Sequence, residues 1–362
     1  MQMYPLIKRL IPLSAGALIS LMPFSTRAQG CVAAHGSGVC MLHGDHGGGE
    51  SEDDAKWEGS IGYRFLNSGR HFVGDVEQTQ RAEQHSQVIN TSNFIDANLT
   101  YYITPRFNTT LTAPFVIHDR SQTYVLNGVR TRFSTQAQGL SDVRLAGHAW
   151  ILDPASPSKW NILVGLGVDA PTGEDDAKDI FPVVVNGALT AQERTVDQSI
   201  QPGDGGWGIT LDLYAYYQFT ERITGYVNGA YTITPQETSH VPTFRNNPRE
   251  AFMSIADSYL GRIGAEYTIL PKYGLTFSLG GRIEGVPVYD LIGGSEWFRR
   301  PGYSISIEPG MMANLHGWKL GVYTPVALYN NRERSVPDIE TGGHGDAAFA
   351  DYQVLFSIAK AL

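Results

Sequence analysis

The chain has 362 residues, 42% hydrophobic and only 17% charged, with 40 glycines and a net charge of −9. The charged fraction lies below the roughly 25% of ordinary soluble domains. Yet mean hydropathy is only −0.18, and no run of 18 apolar residues occurs beyond residue 30, which excludes membrane-spanning helices there. The acidic balance argues against nucleic acid as a partner, because phosphate binding needs concentrated Lys and Arg. Low charge without apolar blocks points instead to apolar residues spread over alternate positions.

Residues 1–28 read as a signal peptide: Lys8 and Arg9, an apolar stretch from Leu10 to Phe24, then Ser25-Thr26-Arg27-Ala28 before the expected cleavage. The alternative is a lipoprotein acylated on Cys31. Residues 29–56 form a segment rich in Cys and His, then acidic. It carries Cys31, His35, Cys40, His43 and His46, with Glu50 to Asp54 following. Thiolate and imidazole are ligands for Zn or Cu ions. The spacing matches no standard finger, and a Cys31–Cys40 disulfide suits an oxidising compartment equally well. No Cys-x-x-Cys-His occurs, which excludes covalent haem.

From Trp57 to Leu362 the chain alternates with a period of two. Trp207, Ile209, Leu211, Leu213, Ala215, Tyr217 and Phe219 form one face, and Thr210, Asp212, Tyr214 and Tyr216 belong to the other. Such alternation is a strand signal. Twelve segments are expected: 57–66, 92–104, 107–118, 140–153, 160–170, 206–219, 223–234, 257–269, 274–286, 302–315, 317–329 and 347–360. Most exceed the usual 5–6 residues and match the roughly 9–11 residues that a tilted strand needs to cross a bilayer. Between them, short connections such as Pro105-Arg106, Thr220 to Arg222 and His316 alternate with long ones at 67–91, 119–139, 171–205, 235–256, 287–301 and 330–346. An even strand count, sorted loops and both termini on the short-turn side predict a transmembrane antiparallel up-and-down β-barrel of the Gram-negative outer membrane. Trp57, Trp160, Trp207 and Trp318 at strand starts, with Tyr101, Tyr217, Phe219, Tyr267 and Tyr329 near strand ends, suit interfacial girdles. The last strand alternates through Tyr352, Val354, Phe356 and Ile358, resembling the outer-membrane assembly signal, but ends Lys360-Ala361-Leu362 rather than in Phe.

The polar faces point into the lumen, and Arg64, Asp96, Asp142, Arg144, His148, Asp212, Arg262, Glu266, Arg282, Glu284 and Glu308 are the candidate lumen-lining residues. They either pair as a plug or line a pore; twelve strands lie between a filled and an open lumen. There is no His-Glu-x-x-His, Gly-x-Ser-x-Gly or phosphate loop, so no enzyme is expected and no cofactor is needed beyond a Zn or Cu ion at the N-terminal segment.

Three stretches carry a family resemblance: Gly139-Leu140-Ser141-Asp142, Leu166 to Gly173 with Asp169-Ala170-Pro171-Thr172-Gly173, and Gln201-Pro202-Gly203-Asp204-Gly205-Gly206. In order and spacing they resemble the outer-membrane "MetA-pathway of phenol degradation" transporter family, with Ser141 replacing Gly and Glu174 replacing Asp. The resemblance covers 57–362 and implies a barrel that moves small aromatic or hydrophobic molecules. Its Gly and Pro residues suit strand-to-loop kinks and need not touch a substrate.

The leading expectation is therefore a passive channel for small molecules, with outer-membrane lipid and a small solute as partners and the oligomeric state open. The alternatives are a metal-handling barrel using the Cys/His segment and a non-conducting structural or binding barrel.

Overall fold

The computed structural model describes residues 56–362 except 244 and 246. The expected signal peptide and the Cys/His segment lie outside the described residues.

Twelve antiparallel strands form one closed barrel. They are β1 (Trp57–Val73), β2 (Ile89–Tyr102), β3 (Phe107–Leu126), β4 in two segments (Val129–Leu140 and Val143–Trp150), β5 (Trp160–Ala170) and β6 (Gly208–Gln218). The remainder are β7 (Ile223–Ile233), β8 (Ser258–Leu270), β9 (Leu275–Val286), β10 (Gly302–Leu315), β11 in two segments (Trp318–Tyr323 and Val326–Arg332) and β12 (Ala347–Ala361). Each strand pairs with its successor, and β12 returns to β1 with Glu58 opposite Ala361 and Phe72 opposite Ala347. Closure leaves no sheet edge open, which a bilayer requires.

The sequence period accounts for the two surfaces. Ile61, Leu99, Leu111, Leu145, Leu166, Leu213, Ile263, Leu279 and Phe356 are exposed on the outer face, while their polar neighbours are buried inside. Large aromatic residues collect at the two ends of the barrel. At the short-turn end Trp57 packs on Tyr101 with ring centroids 4.6 Å apart, Tyr217 on Phe219 at 5.1 Å, and Lys360 Nζ lies 5.0 Å from the Trp318 ring. At the long-loop end Tyr231 stacks on Tyr259 and Tyr303 packs beside Tyr329.

The inner wall pairs large rings with glycines. Tyr226 lies across β8 and β9 so closely that a Cβ on Gly264 or Gly280 would stand 2.6 or 2.5 Å from its hydroxyl oxygen. A Cβ on Gly310 would stand 2.2 Å from Tyr323 Cδ1, and one on Gly165 2.4 Å from the His148 ring. Rings covering glycines on neighbouring strands are a recurring device of curved sheets, and they explain much of the glycine content.

The strand count and faces agree with the sequence reading, but two long loops need correction. Residues 119–139 are not a loop. Strands β3 and β4 continue upward through them and meet at Asn127-Gly128, with φ of 50° and 79°. The 171–205 connection likewise contains a hairpin, Lys178–Val185 with Ala188–Thr195, closed by Asn186-Gly187 at the same angles. Positive φ at both central residues is the tight hairpin turn that Asn-Gly favours. The two tips meet, since Asn127 Nδ2 donates to the Gly187 carbonyl at 3.3 Å. Strand β1 also extends to Val73 rather than ending at 66.

Candidate functional site

Inside the barrel the charges converge in two groups. On one wall Arg262 Nε donates to Glu308 Oε1 at 2.6 Å, Arg282 Nη1 to Glu308 Oε2 at 3.2 Å, and Arg282 Nη2 to Glu284 Oε2 at 2.7 Å. Gln353 on β12 donates to the second Glu284 oxygen. The network is enclosed: Glu308 is 0%, Arg282 2%, Glu284 4% and Arg262 7% exposed. Glu266 is buried on the same inner wall. Arg262 also faces the rings of Tyr323 and Tyr226 at 5.0 and 5.7 Å, and Arg64 stacks on Phe94 at 4.0 Å.

On the other wall Arg144 Nε donates to Asp169 Oδ1 at 2.8 Å and Thr210 Oγ1 to Asp169 Oδ2 at 2.6 Å. His148 Nε2 lies 3.4 Å from Asp212 Oδ2, while its Nδ1 lies 3.2 Å from Asn108 Oδ1. Asp96 faces the charges of Arg64 and Arg144. Nearer the short-turn end the lumen becomes aromatic: Trp150, Tyr214 and Tyr216 lie 6.1 to 6.2 Å apart, and Leu163 and Tyr226 complete the cluster.

The candidate lumen residues thus lie on inner faces, but Asp142 forms its hydrogen bonds outside both charge groups, with Asp169 as its charged neighbour from the second. It stands at a break in β4, opposite Pro114, whose carbonyl accepts from Ser141 N at 2.8 Å. Its carboxylate receives Gly173 N at 3.0 Å and Asp204 N at 3.1 Å. Thr172 Oγ1 donates to the Ser141 carbonyl, and Gly203 N donates to the Glu174 carbonyl. Gly173 and Gly203 approach so closely that a Cβ on either would stand 2.6–2.7 Å from the other's backbone. The three resembling stretches, spread over some sixty residues, are therefore one junction at the long-loop end. Asp204 is half-buried there, and desolvation together with the neighbouring Asp142 pushes its carboxyl up to about 7. This junction shapes the strand ends.

No family model matches the chain, and no curated protein matches it in sequence. Among solved structures, an outer-membrane channel from Pseudomonas putida F1 is similar at a TM-score of 0.54 and 12% identity, over 85% of this chain and 96% of that one. The chain is an outer-membrane β-barrel. Weaker similarity extends to the Pseudomonas putida toluene transporter TodX (TM-score 0.45, 11% identity, 93% and 97% of the chains). It extends equally to the β domain of the Bordetella autotransporter BrkA (TM-score 0.42, 12% identity, 85% and 100%). The barrel argument rests on the first of these and on the chain's own closed sheet with its apolar exterior. The start of β1 and the end of β12 lie at the short-turn end, which in barrels of this kind faces the periplasm while the long loops face outward.

What sequence reasoning missed is the upper lumen. Arg120, Arg245, Arg300 and Arg332 gather beneath the loops with Asp197, Glu250 and Asp338. They come from five separate stretches of chain, and no spacing rule joins them. The aromatic floor was visible only as alternate tyrosines on β6.

Proposed function

We propose that this barrel is a passive outer-membrane channel with a closed resting lumen, passing small solutes of partly aromatic character. The observation that carries this reading is the inner wall itself. Charges lining an open water column would be accessible, but Arg64, Arg262, Arg282, Glu284 and Glu308 are each under a tenth exposed. Paired charges close the middle of the barrel, and an aromatic floor lies below them. A solute with a flat apolar body can slide along such rings, while its polar edge exchanges hydrogen bonds with the paired charges. The motif resemblance to the phenol-degradation transporter family supports the aromatic part of the reading. No cofactor is required.

The same low exposure favours a second reading, a non-conducting barrel whose surface loops do the work. Planar-bilayer recording, together with liposome uptake of a panel of small aromatic solutes, separates the two. Rare, brief openings and selective uptake are expected of the channel. Absence of both conductance and uptake refutes it and leaves the non-conducting barrel.

A further inference from the structure

The upper lumen gathers four arginines, Arg120, Arg245, Arg300 and Arg332, around three carboxylates among the described residues. Asp197, from the 171–207 connection, lies 2.7 Å from Arg300 Nη2 and 3.6 Å from Arg120 Nη2 with the same oxygen. Its other oxygen already accepts from Ser199 N and Oγ. Phe298 separates Arg300 from Arg245, whose guanidinium carbons stand 4.8 and 4.0 Å from the ring. Arg245 reaches Glu250 at 3.4 Å. Arg332 donates to the Pro301 carbonyl and to Asp338. Asp338 is itself occupied as the cap partner of Ser335 and as acceptor from Gly345 N.

Four guanidiniums therefore face three carboxylates whose remaining lone pairs are largely committed. Arg120 is 2%, Arg300 6% and Arg332 1% exposed. Nevertheless Nε and Nη2 of Arg120, Nε of Arg300 and Nε of Arg332 have no hydrogen-bond acceptor among the described residues. Burying cations that are incompletely paired is strongly unfavourable, and each unpaired donor adds to that cost. A fold retains such a group where something else supplies the acceptor. Next to it is a cavity of about 110 Å³, lined by Arg299 and Arg300 with Ser199, Ser254 and Thr234. A single water needs only about 10–15 Å³, so there is room for a small organic ion. Asp175 and Asp204 also line it, so an anionic group there is drawn toward Arg300 and repelled by the acids. Arg299 is not the receptor, since Asp290 binds its fork at 2.6 and 2.7 Å.

We propose that this arginine group is a binding station for the carboxylate of a small organic acid, at the cell-surface entrance of the lumen. The planar guanidinium fork fits a carboxylate edge, and Asp175 and Asp204 in the same lining disfavour a doubly charged anion such as phosphate. Phe298 between two arginines gives the site an apolar neighbour for the acid's body. The inference rests on the channel reading above and narrows it from small aromatic solutes to aromatic or other compact carboxylates. The station would hold the solute before the paired charges below exchange with it.

The test uses the full chain purified in detergent micelles and titrated calorimetrically with benzoate, with its neutral isostere benzamide, and with inorganic phosphate as competitor. Saturable benzoate binding at least tenfold tighter than benzamide is expected, weakened at least tenfold in Arg300→Gln and in Arg120→Gln. The heat-dependent gel shift of folded barrels screens each variant. Should Arg300→Gln fail to fold, Arg300→Lys keeps the charge but loses the fork, and is expected to bind less tightly while remaining folded. Equal affinities for benzoate and benzamide, or variants that bind as the parent does, overturn the station. Displacement of benzoate by phosphate at a tenth of its concentration overturns the carboxylate assignment. Binding in micelles does not require passage. Benzoate binding with no liposome uptake therefore retires the channel alone, whereas uptake without binding retires the station alone.

Discussion

Glu308 is the carboxylate on which arginines from β8 and β9 converge, and Glu308→Gln keeps its volume while removing its charge. Opposite charges about 4 Å apart interact by about 4 kcal/mol at an effective dielectric near 20, and Glu308 makes two such contacts. Desolvation offsets most of that gross attraction. Truncating one partner of a buried pair is still strongly destabilising, by about 3–5 kcal/mol, because the other charge is left behind. Arg282 retains Glu284 as a partner, whereas Arg262 has its strong hydrogen bond on Glu308 alone among the described contacts. The lower end, about 3 kcal/mol, is therefore expected. At about 1.4 kcal/mol per tenfold, this is roughly a hundredfold increase in the unfolding equilibrium constant. Urea unfolding of the barrel in lipid bilayers, followed by tryptophan fluorescence, measures it. A double-mutant cycle with Arg262→Gln isolates the pair, and a coupling of about 1–3 kcal/mol is expected from direct contact. A loss below about 0.5 kcal/mol, the range of substitutions away from such features, would refute the reasoning. It would show that water reaches the pair and screens it.

Four further outcomes follow from the same geometry. Gly310→Ala places a Cβ 2.2 Å from Tyr323 Cδ1 and should cost about 1–3 kcal/mol as overpacking; adding Tyr323→Ala should recover part of this in the same unfolding assay. Leu213→Arg, on the exposed outer face, should cost about 2–4 kcal/mol near the bilayer midplane, whereas Leu213→Ile should refold as the parent does. Gly128→Val, at a φ of 79°, should speed protease nicking of the β3–β4 hairpin on intact cells without changing the barrel's gel shift. Asp204 has its carboxyl raised to about 7 by burial and Asp142, so the folded junction binds more protons than the unfolded chain above its ordinary value near 3.8. Its contribution to stability is therefore full below about 4 and lost as pH rises to about 7; protection of the Gly203 and Gly206 amides, taken relative to their intrinsic exchange rates, should fall over that window, and the fall should be absent in Asp204→Asn.

Most of the barrel was legible because a period of two has one simple cause. Each strand meets lipid on one side and polar neighbours on the other, so Trp207 to Phe219 declares its faces without reference to any other strand. Loop interiors lack that constraint. Residues 119–139 read as a loop because Asp119, Arg120, Gln122 and Thr123 break the apolar alternation, although Asn127-Gly128 carries a strong local turn signal. Above the bilayer a strand no longer needs apolar residues outside, so period and secondary structure part company there. The lumen charges could be assigned to a face but not to partners. Whether Glu308 meets Arg262 or Arg64 depends on the stagger between β8, β9 and β10, which alternation alone does not set. The arginine group under the loops was illegible for the same reason, since Arg120 and Arg332 lie 212 positions apart.

The polar network that includes Glu284 also reaches the seam. Gln353 belongs to β12 and Arg64 to β1, the two strands whose pairing completes the cylinder, and both act on Glu284 of β9. A barrel still open between β1 and β12 holds the Arg262–Glu308 and Arg282–Glu284 pairs within β8 to β10 but leaves Glu284 without Gln353. The last strand therefore delivers two things as it docks, a backbone ladder along the wall and a polar anchor across the hollow. Sealing the wall and completing the shell of Glu284 are therefore one event, and a chain whose last strand has not docked carries a buried carboxylate oxygen with its amide partner still missing.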